Sequence, residues 1–138
     1  MINLIIIDNY DSFTYNLVHY LEPYCKEITI FRNDEINHDL ISNEHKILLS
    51  PGPGLPLENK ELNYSIEKYH LSNNIFGVCL GFQAIGQFFG AELHNLKKVR
   101  HGIQTQLEIL NHDFLFKNVP NNINLSLIHI SEPTRLGM

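Results

Sequence analysis

The sequence predicts an α/β fold, a three-layer open parallel sheet with helices on both faces. Two observations predict it. Short, almost wholly apolar runs, as at residues 4–7 and 46–50, read as strands buried on both faces. Between them lie segments with apolar residues at three- and four-residue spacing, the period of an amphipathic helix. Strand and helix in alternation imply right-handed βαβ crossovers and a parallel sheet, with working residues on loops beyond the carboxyl ends of the strands.

The first strand is the run Leu4, Ile5, Ile6 and Ile7, closed by Asp8 and Asn9. A helix is expected next, capped by Ser12, with Phe13, Leu17, Tyr20 and Leu21 as its apolar stripe and Pro23 as its stop. Ile28, Thr29, Ile30 and Phe31 read as the second strand, residues 46–50 as the third and residues 74–78 as the fourth. Residues 58–71 carry Leu62, Ile66, Tyr69 and His70 in helical register, and Phe82, Ala84, Ile85, Phe88 and Phe89 mark a further helix. Residues 104–110 read as an outer antiparallel strand.

The 138 residues have room for one domain. With 43% hydrophobic and 18% charged residues the chain has the apolar content to bury a core, which excludes a disordered class. The formal net charge is −5, and Lys97, Lys98 and Arg100 form the one basic cluster, which argues against a nucleic-acid partner. No run approaches the ~18 apolar residues of a membrane span, so a soluble, cytoplasmic protein without membrane association is expected. Cys25 and Cys79 lie far apart, without the close Cys or His spacing of a zinc site, so neither a disulfide framework nor a metal centre is expected. The acidic loop from Asp8 to Ser12 is better explained by helix capping than by Mg²⁺.

The residues that carry chemistry centre on Cys79. Gly77-Val78-Cys79-Leu80-Gly81 places a cysteine between glycines, straight after an apolar strand and straight before a helix. That is the setting of a nucleophile elbow, where the flanking positions are too crowded for side chains. The positive end of the helix dipole is expected to lower the thiol pKa below the ~8.5 of free cysteine. A buried, inert cysteine is the competing reading. Acyl transfer also needs donors for an oxyanion. Leu80 offers the N–H after the nucleophile. Ser50-Pro51-Gly52-Pro53-Gly54 forms a stiff turn whose Gly52 and Gly54 N–H groups stand clear of side chains, and it is expected beside the elbow. Gln83 falls one helical turn after Cys79 and faces the same side.

Three segments together carry a family resemblance: residues 8–16 (Asp-Asn-Tyr-Asp-Ser-Phe-Thr-Tyr-Asn), residues 49–54 (Leu-Ser-Pro-Gly-Pro-Gly) and residues 77–85 (Gly-Val-Cys-Leu-Gly-Phe-Gln-Ala-Ile). They resemble a class I glutamine amidotransferase of flavodoxin-like architecture, and among these the component II type of anthranilate synthase or aminodeoxychorismate synthase. Arg100-His101-Gly102 resembles the following His-Gly step, while Phe82 stands where His or Met is usual. The resemblance implies that Cys79 attacks the side-chain amide of glutamine to give a γ-glutamyl thioester and ammonia. Gly54 and Leu80 would supply oxyanion N–H groups, and Gly52, Gly54 and Gln83 would hold the glutamine, with no cofactor. The ammonia would pass to a chorismate-binding synthase component I as protein partner, in tryptophan or folate biosynthesis.

The family also supplies a His-x-Glu pair as base and orienter, and no histidine here is followed by that pattern at the family's distance. The His-Ser step that helps bind glutamine is out of register, because Ile130 follows His129. Residues 126–138 depart from the family. The expected organisation is therefore a partial amidotransferase domain over residues 1–125 with a non-family tail over 126–138, a C-terminally truncated chain of little or no turnover. The alternatives are a different cysteine hydrolase of similar sheet architecture and a non-catalytic binding subunit.

Overall fold

The computed structural model describes residues 1–98 and 102–126. Its centre is a four-stranded, wholly parallel sheet of β1 (Ile2–Asp8), β2 (Cys25–Arg32), β3 (Lys46–Leu49) and β4 (Ile75–Gly77), in the order β2-β1-β3-β4. In register, Ile6 lies between Ile30 of β2 and Leu48 of β3. The all-apolar reading of β1 and β3 follows from this placement, since both strands are paired on each edge and covered on each face.

Alternate side chains of the two inner strands feed two cores. Ile5, Ile7, Ile47 and Leu49 point to one face, under α2 (Lys60–Tyr69) and α3 (Leu80–Phe88), where Leu62, Ile66, Tyr69, Leu80 and Ala84 complete a buried cluster. Leu4, Ile6, Cys25 and Leu48 point to the other, under Leu17, Val18 and Leu21 of α1 (Thr14–Leu21). The three layers are those expected from the sequence. Fully buried Leu62 and Ile66 contribute about 1.5–3 kcal/mol each through removal of apolar surface from water.

Several local expectations are corrected. Ser12 does not cap α1: the Asp11 carboxylate accepts from the Phe13 N–H at 3.1 Å, and the Asp8 carboxylate accepts from the Thr14 hydroxyl at 2.8 Å. The inward stripe is buried Thr14 with half-buried Leu17, Val18 and Leu21, whereas Phe13 and Tyr20 are exposed. Thr14 explains the shift, because a buried polar residue starts the true stripe one position after Phe13. The β2–β3 connection, for which no element was read, holds a 3₁₀ turn, His38–Leu40. On α3 the covered side is Leu80, Gly81 and Ala84, leaving Phe82 and Phe89 in solvent. Residues 104–110 contribute β5 (Gln104–Glu108), which pairs antiparallel with β6 (Asn122–Ser126) in a separate two-stranded sheet, not at the edge of the main one.

Helix ends are set by side chains and glycine. Asn59 caps α2, its side-chain oxygen accepting from the Leu62 N–H at 3.0 Å. At the C-terminus of α3, Gly90 takes φ +93°, Ala91 N–H donates to the Gly86 carbonyl at 2.9 Å and Gly90 N–H to that of Gln87 at 3.0 Å. This pair of bonds is a Schellman closure, which a left-handed glycine makes possible. Among the described residues no helix is long and apolar enough to cross a membrane. Nor do the described residues hold a cluster of three or more His, Cys, Asp or Glu side chains placed for a metal ion.

Candidate active site

In the order β2-β1-β3-β4 the chain runs one way from β1 to β2 and the other way to β3, so the strand order reverses between β1 and β3. Ligands of open parallel sheets bind in the crevice outside the strand carboxyl ends at such a reversal. Residues following β1, β3 and β4 meet there.

The elbow follows β4. Val78 N–H donates to the Leu49 carbonyl at 3.0 Å, the last rung tying this segment to β3. Cys79 then takes φ 51° and ψ −109°, a conformation that costs a residue with a side chain on the order of 1–3 kcal/mol and persists only where the surroundings impose it. The turn is closed by Gly81 N–H on the Val78 carbonyl at 3.1 Å and by Gln83 N–H on the Cys79 carbonyl at 2.9 Å. A Cβ on Gly77 would lie 2.4 Å from the Gly81 carbonyl carbon and the Phe82 nitrogen; one on Gly81 would lie 2.4 Å from the Leu49 carbonyl oxygen. The two glycines let helix, elbow and central strand touch, as the sequence reading required. Cys79 is exposed, so the inert buried reading fails for it; Cys25 is the buried thiol, and burial raises its pKa.

The Pro-Gly turn lies against this elbow. A Cβ at Gly52 would fall 3.1 Å from Leu80 Cδ2 and 2.5 Å from both Cβ and the carbonyl oxygen of Asn9. Gly52 is therefore wedged between the residue after the nucleophile and the end of β1. Gly54 takes φ +80°, which glycine adopts at little cost. Leu80, first residue of α3, has no intrahelical acceptor for its N–H, as at any helix start. Gln83 sits half-buried one turn along the same helix. The structure thus brings Cys79, Leu80 and Gly52 together, with Gly54 two residues farther along the same turn.

The electrostatics depart from expectation. Partial burial raises the Cys79 pKa, and the Asp11 carboxylate raises it further. The N-terminal end of α3 was expected to lower it; the direction is instead upward, from desolvation first and then from a like charge on the loop after β1. Arg100, His101 and His129 lie outside the described residues. Of the other histidines, His38 bonds the Tyr69 hydroxyl, His45 bonds Ser42, His70 meets the Ile66 and Glu67 carbonyls, and His112 contacts the Phe116 carbonyl.

Sequence reasoning missed Asn9. It is 2% exposed at the end of β1. Its backbone N–H donates to Ser50 Oγ and its Nδ2 to the Ser50 carbonyl, both at 2.8 Å. Its Oδ1 accepts from Asn33 Nδ2 at 3.1 Å and from Asn59 Nδ2 at 3.5 Å. One acceptor on the nitrogen side and two donors on the oxygen side fix the orientation of the amide. The available signal was a short polar side chain closing an apolar strand at the reversal point; its partners, 24 to 50 residues away, could not be read from spacing.

Comparison with known proteins agrees with this architecture. The sequence profile described as "Glutamine amidotransferase class-I" matches residues 5–134. Anthranilate synthase component 2 of Pyropia yezoensis is 40% identical over 120 residues, covering 86% of this chain and 63% of that protein. The protein of the same name from Lactococcus lactis is 32% identical over 126 residues, covering 91% and 64%. This chain therefore spans somewhat under two-thirds of the length of these relatives. A crystal structure described as that of a GMP synthase component from Thermoplasma acidophilum superposes with a TM-score of 0.74 over 91% of this chain and 63% of its own, at 24% identity, and shares the fold. By the matched profile and these relatives, the chain belongs to the class I glutamine amidotransferase family.

Proposed function

We propose that this chain carries the nucleophile and oxyanion side of a glutaminase site that supplies ammonia to a chorismate-binding synthase component I. The observation that carries the reading is the exposed, strained Cys79 seated against the Pro-Gly turn, with Gly52 packed on Leu80. In this reading the Cys79 thiolate attacks the side-chain carbonyl carbon of glutamine, and the carbonyl electron pair moves onto oxygen. The N–H groups of Leu80 and Gly54 receive that oxyanion, while Gly52, Gly54 and Gln83 hold the substrate. Collapse of the tetrahedral adduct expels ammonia, which takes up one proton, and leaves a γ-glutamyl thioester; water then releases glutamate and restores the thiol. No cofactor takes part.

The names of the relatives, anthranilate synthase component 2, favour amination toward anthranilate over the folate branch. The test is labelling with a glutamine-shaped chloroketone, whose carbonyl takes the place of the substrate amide. Modification of Cys79, slowed by glutamine and absent in Cys79→Ser, is the expected result. Labelling that glutamine leaves unchanged would overturn the reading. Co-purification with a component I chain, unaffected by Cys79→Ser, tests the partner separately.

A further inference from the structure

We propose that Asn9 is the positioning residue of this site: its side-chain amide clamps the Pro-Gly turn to the end of β1 and so holds the oxyanion donors at their distance from Cys79. The proposal rests on the glutaminase reading for its substrate and on geometry for its mechanism.

Three features converge on this amide. It is bound through nitrogen to the Ser50 carbonyl, the last peptide before the Pro-Gly turn, while the Asn9 backbone N–H holds Ser50 Oγ. Ser50 Oγ in turn donates to the Pro51 carbonyl at 2.7 Å, which carries the restraint one residue into the turn. Next, Gly52 approaches Asn9 so closely that no Cβ fits between them, and its other side meets Leu80. Any shift of Asn9 therefore moves the turn relative to the residue after the nucleophile. Lastly, Oδ1 is held by Asn33, beyond the end of β2, and by Asn59, which caps α2. Three loops and a helix start are thus pinned by one buried side chain that has no reach to Cys79 through any of these bonds.

Such a residue acts chiefly on the transition state. Oxyanion donors stabilise charge that exists only after attack, so loosening Gly54 lowers the rate of bond formation, while weaker substrate contacts from Gly52 and Gly54 raise half-saturation by a smaller factor. Displacement of reacting groups by about 1 Å can cost ~100-fold.

The experiment uses the full chain and two variants, Asn9→Ala and Asn33→Ala. The latter keeps both Asn9 bonds to Ser50, removes one of the two anchors on Oδ1, and serves if Asn9→Ala fails to fold. Backbone ¹⁵N relaxation reports the order of the Gly52 and Gly54 amides. Chloroketone labelling of Cys79 is resolved into its maximal rate and its half-saturating concentration. In Asn9→Ala the two glycine amides are expected to fall from near ~0.85 in order parameter to below ~0.6, with Gly81 unchanged. The maximal labelling rate is expected to fall about tenfold or more, with half-saturation moved by less than about threefold. Asn33→Ala is expected to move both quantities the same way by a smaller factor.

A turn that stays ordered in both variants would overturn the clamp. A turn that loosens while the maximal rate holds, or a loss confined to half-saturation, would overturn the positioning role. If glutamine fails to protect Cys79 in the unmutated chain, the glutaminase reading falls by itself. The relaxation data then still decide the clamp.

Discussion

Gly81 tests the packing logic of the elbow, because two physical effects predict opposite signs there. It lies in the first turn of α3, where replacing glycine by alanine on helix propensity alone stabilises by about 0.5–1 kcal/mol. The fold predicts the reverse. A Cβ at this position would sit 2.4 Å from the Leu49 carbonyl oxygen and 2.6 Å from Leu49 Cβ, against an ordinary carbon contact of about 3.5–4.0 Å. Leu49 belongs to β3, which is paired on both edges and cannot withdraw. Overpacking of this kind costs about 1–3 kcal/mol, occasionally more, and against backbone the upper end applies. After the propensity gain, a net loss of about 2 kcal/mol remains. At roughly 3–6 °C per kcal/mol for a chain of this size, the melting midpoint should fall by about 6–12 °C. Gly86→Ala is the internal control: same helix, with only the Ala91 Cβ at 3.6 Å, so propensity wins and the midpoint should rise by a few degrees. Thermal unfolding followed by circular dichroism on both variants decides it. If Gly81→Ala is as stable as the unmutated chain, or shifts in the same direction as Gly86→Ala, the close approach of α3 to β3 is wrong.

Iodoacetamide labelling of Cys79 against pH should reach half-rate above the value for free cysteine, and Asp11→Asn should move that point down, since burial and the Asp11 charge both disfavour the thiolate. Cys79→Ser in a full-length relative should abolish glutamine hydrolysis while leaving the unfolding midpoint close to wild type; a wild-type rate would remove Cys79 from the chemistry. Leu62→Ala should cost about 2–5 kcal/mol in urea unfolding, as this side chain is fully buried between α2 and the sheet. Gly90→Ala should destabilise by about 1 kcal/mol from backbone strain alone, because no atom lies within 4 Å of the added Cβ, and Gly90→Asn should cost less.

How much of this could be read from the sequence depended on whether the signal was local. β1 and β3 were legible because strands covered on both faces have no polar positions to confuse the pattern. The elbow was legible too, since the need for glycine at Gly77 arises within five residues of Cys79, from Gly81 and Phe82, although that at Gly81 comes from distant Leu49. α1 misled at Phe13 and Tyr20, because the stripe begins with Thr14, whose hydroxyl is satisfied by Asp8 and whose polarity hides it from an apolar count. Two features of the site itself were illegible for one shared reason. The Asp11 charge near Cys79 and the Asn9 clamp on Ser50 both depend on β1 and its loop coming beside distant segments, and spacing carries no record of that.

The most direct test is to incubate the chain with the glutamine-shaped chloroketone, quench in acid and map the adduct by mass spectrometry. The account predicts alkylation of Cys79 that glutamine slows, none on Cys25, and none in Cys79→Ser. An adduct located elsewhere, or alkylation of Cys79 that glutamine leaves unchanged, would contradict it.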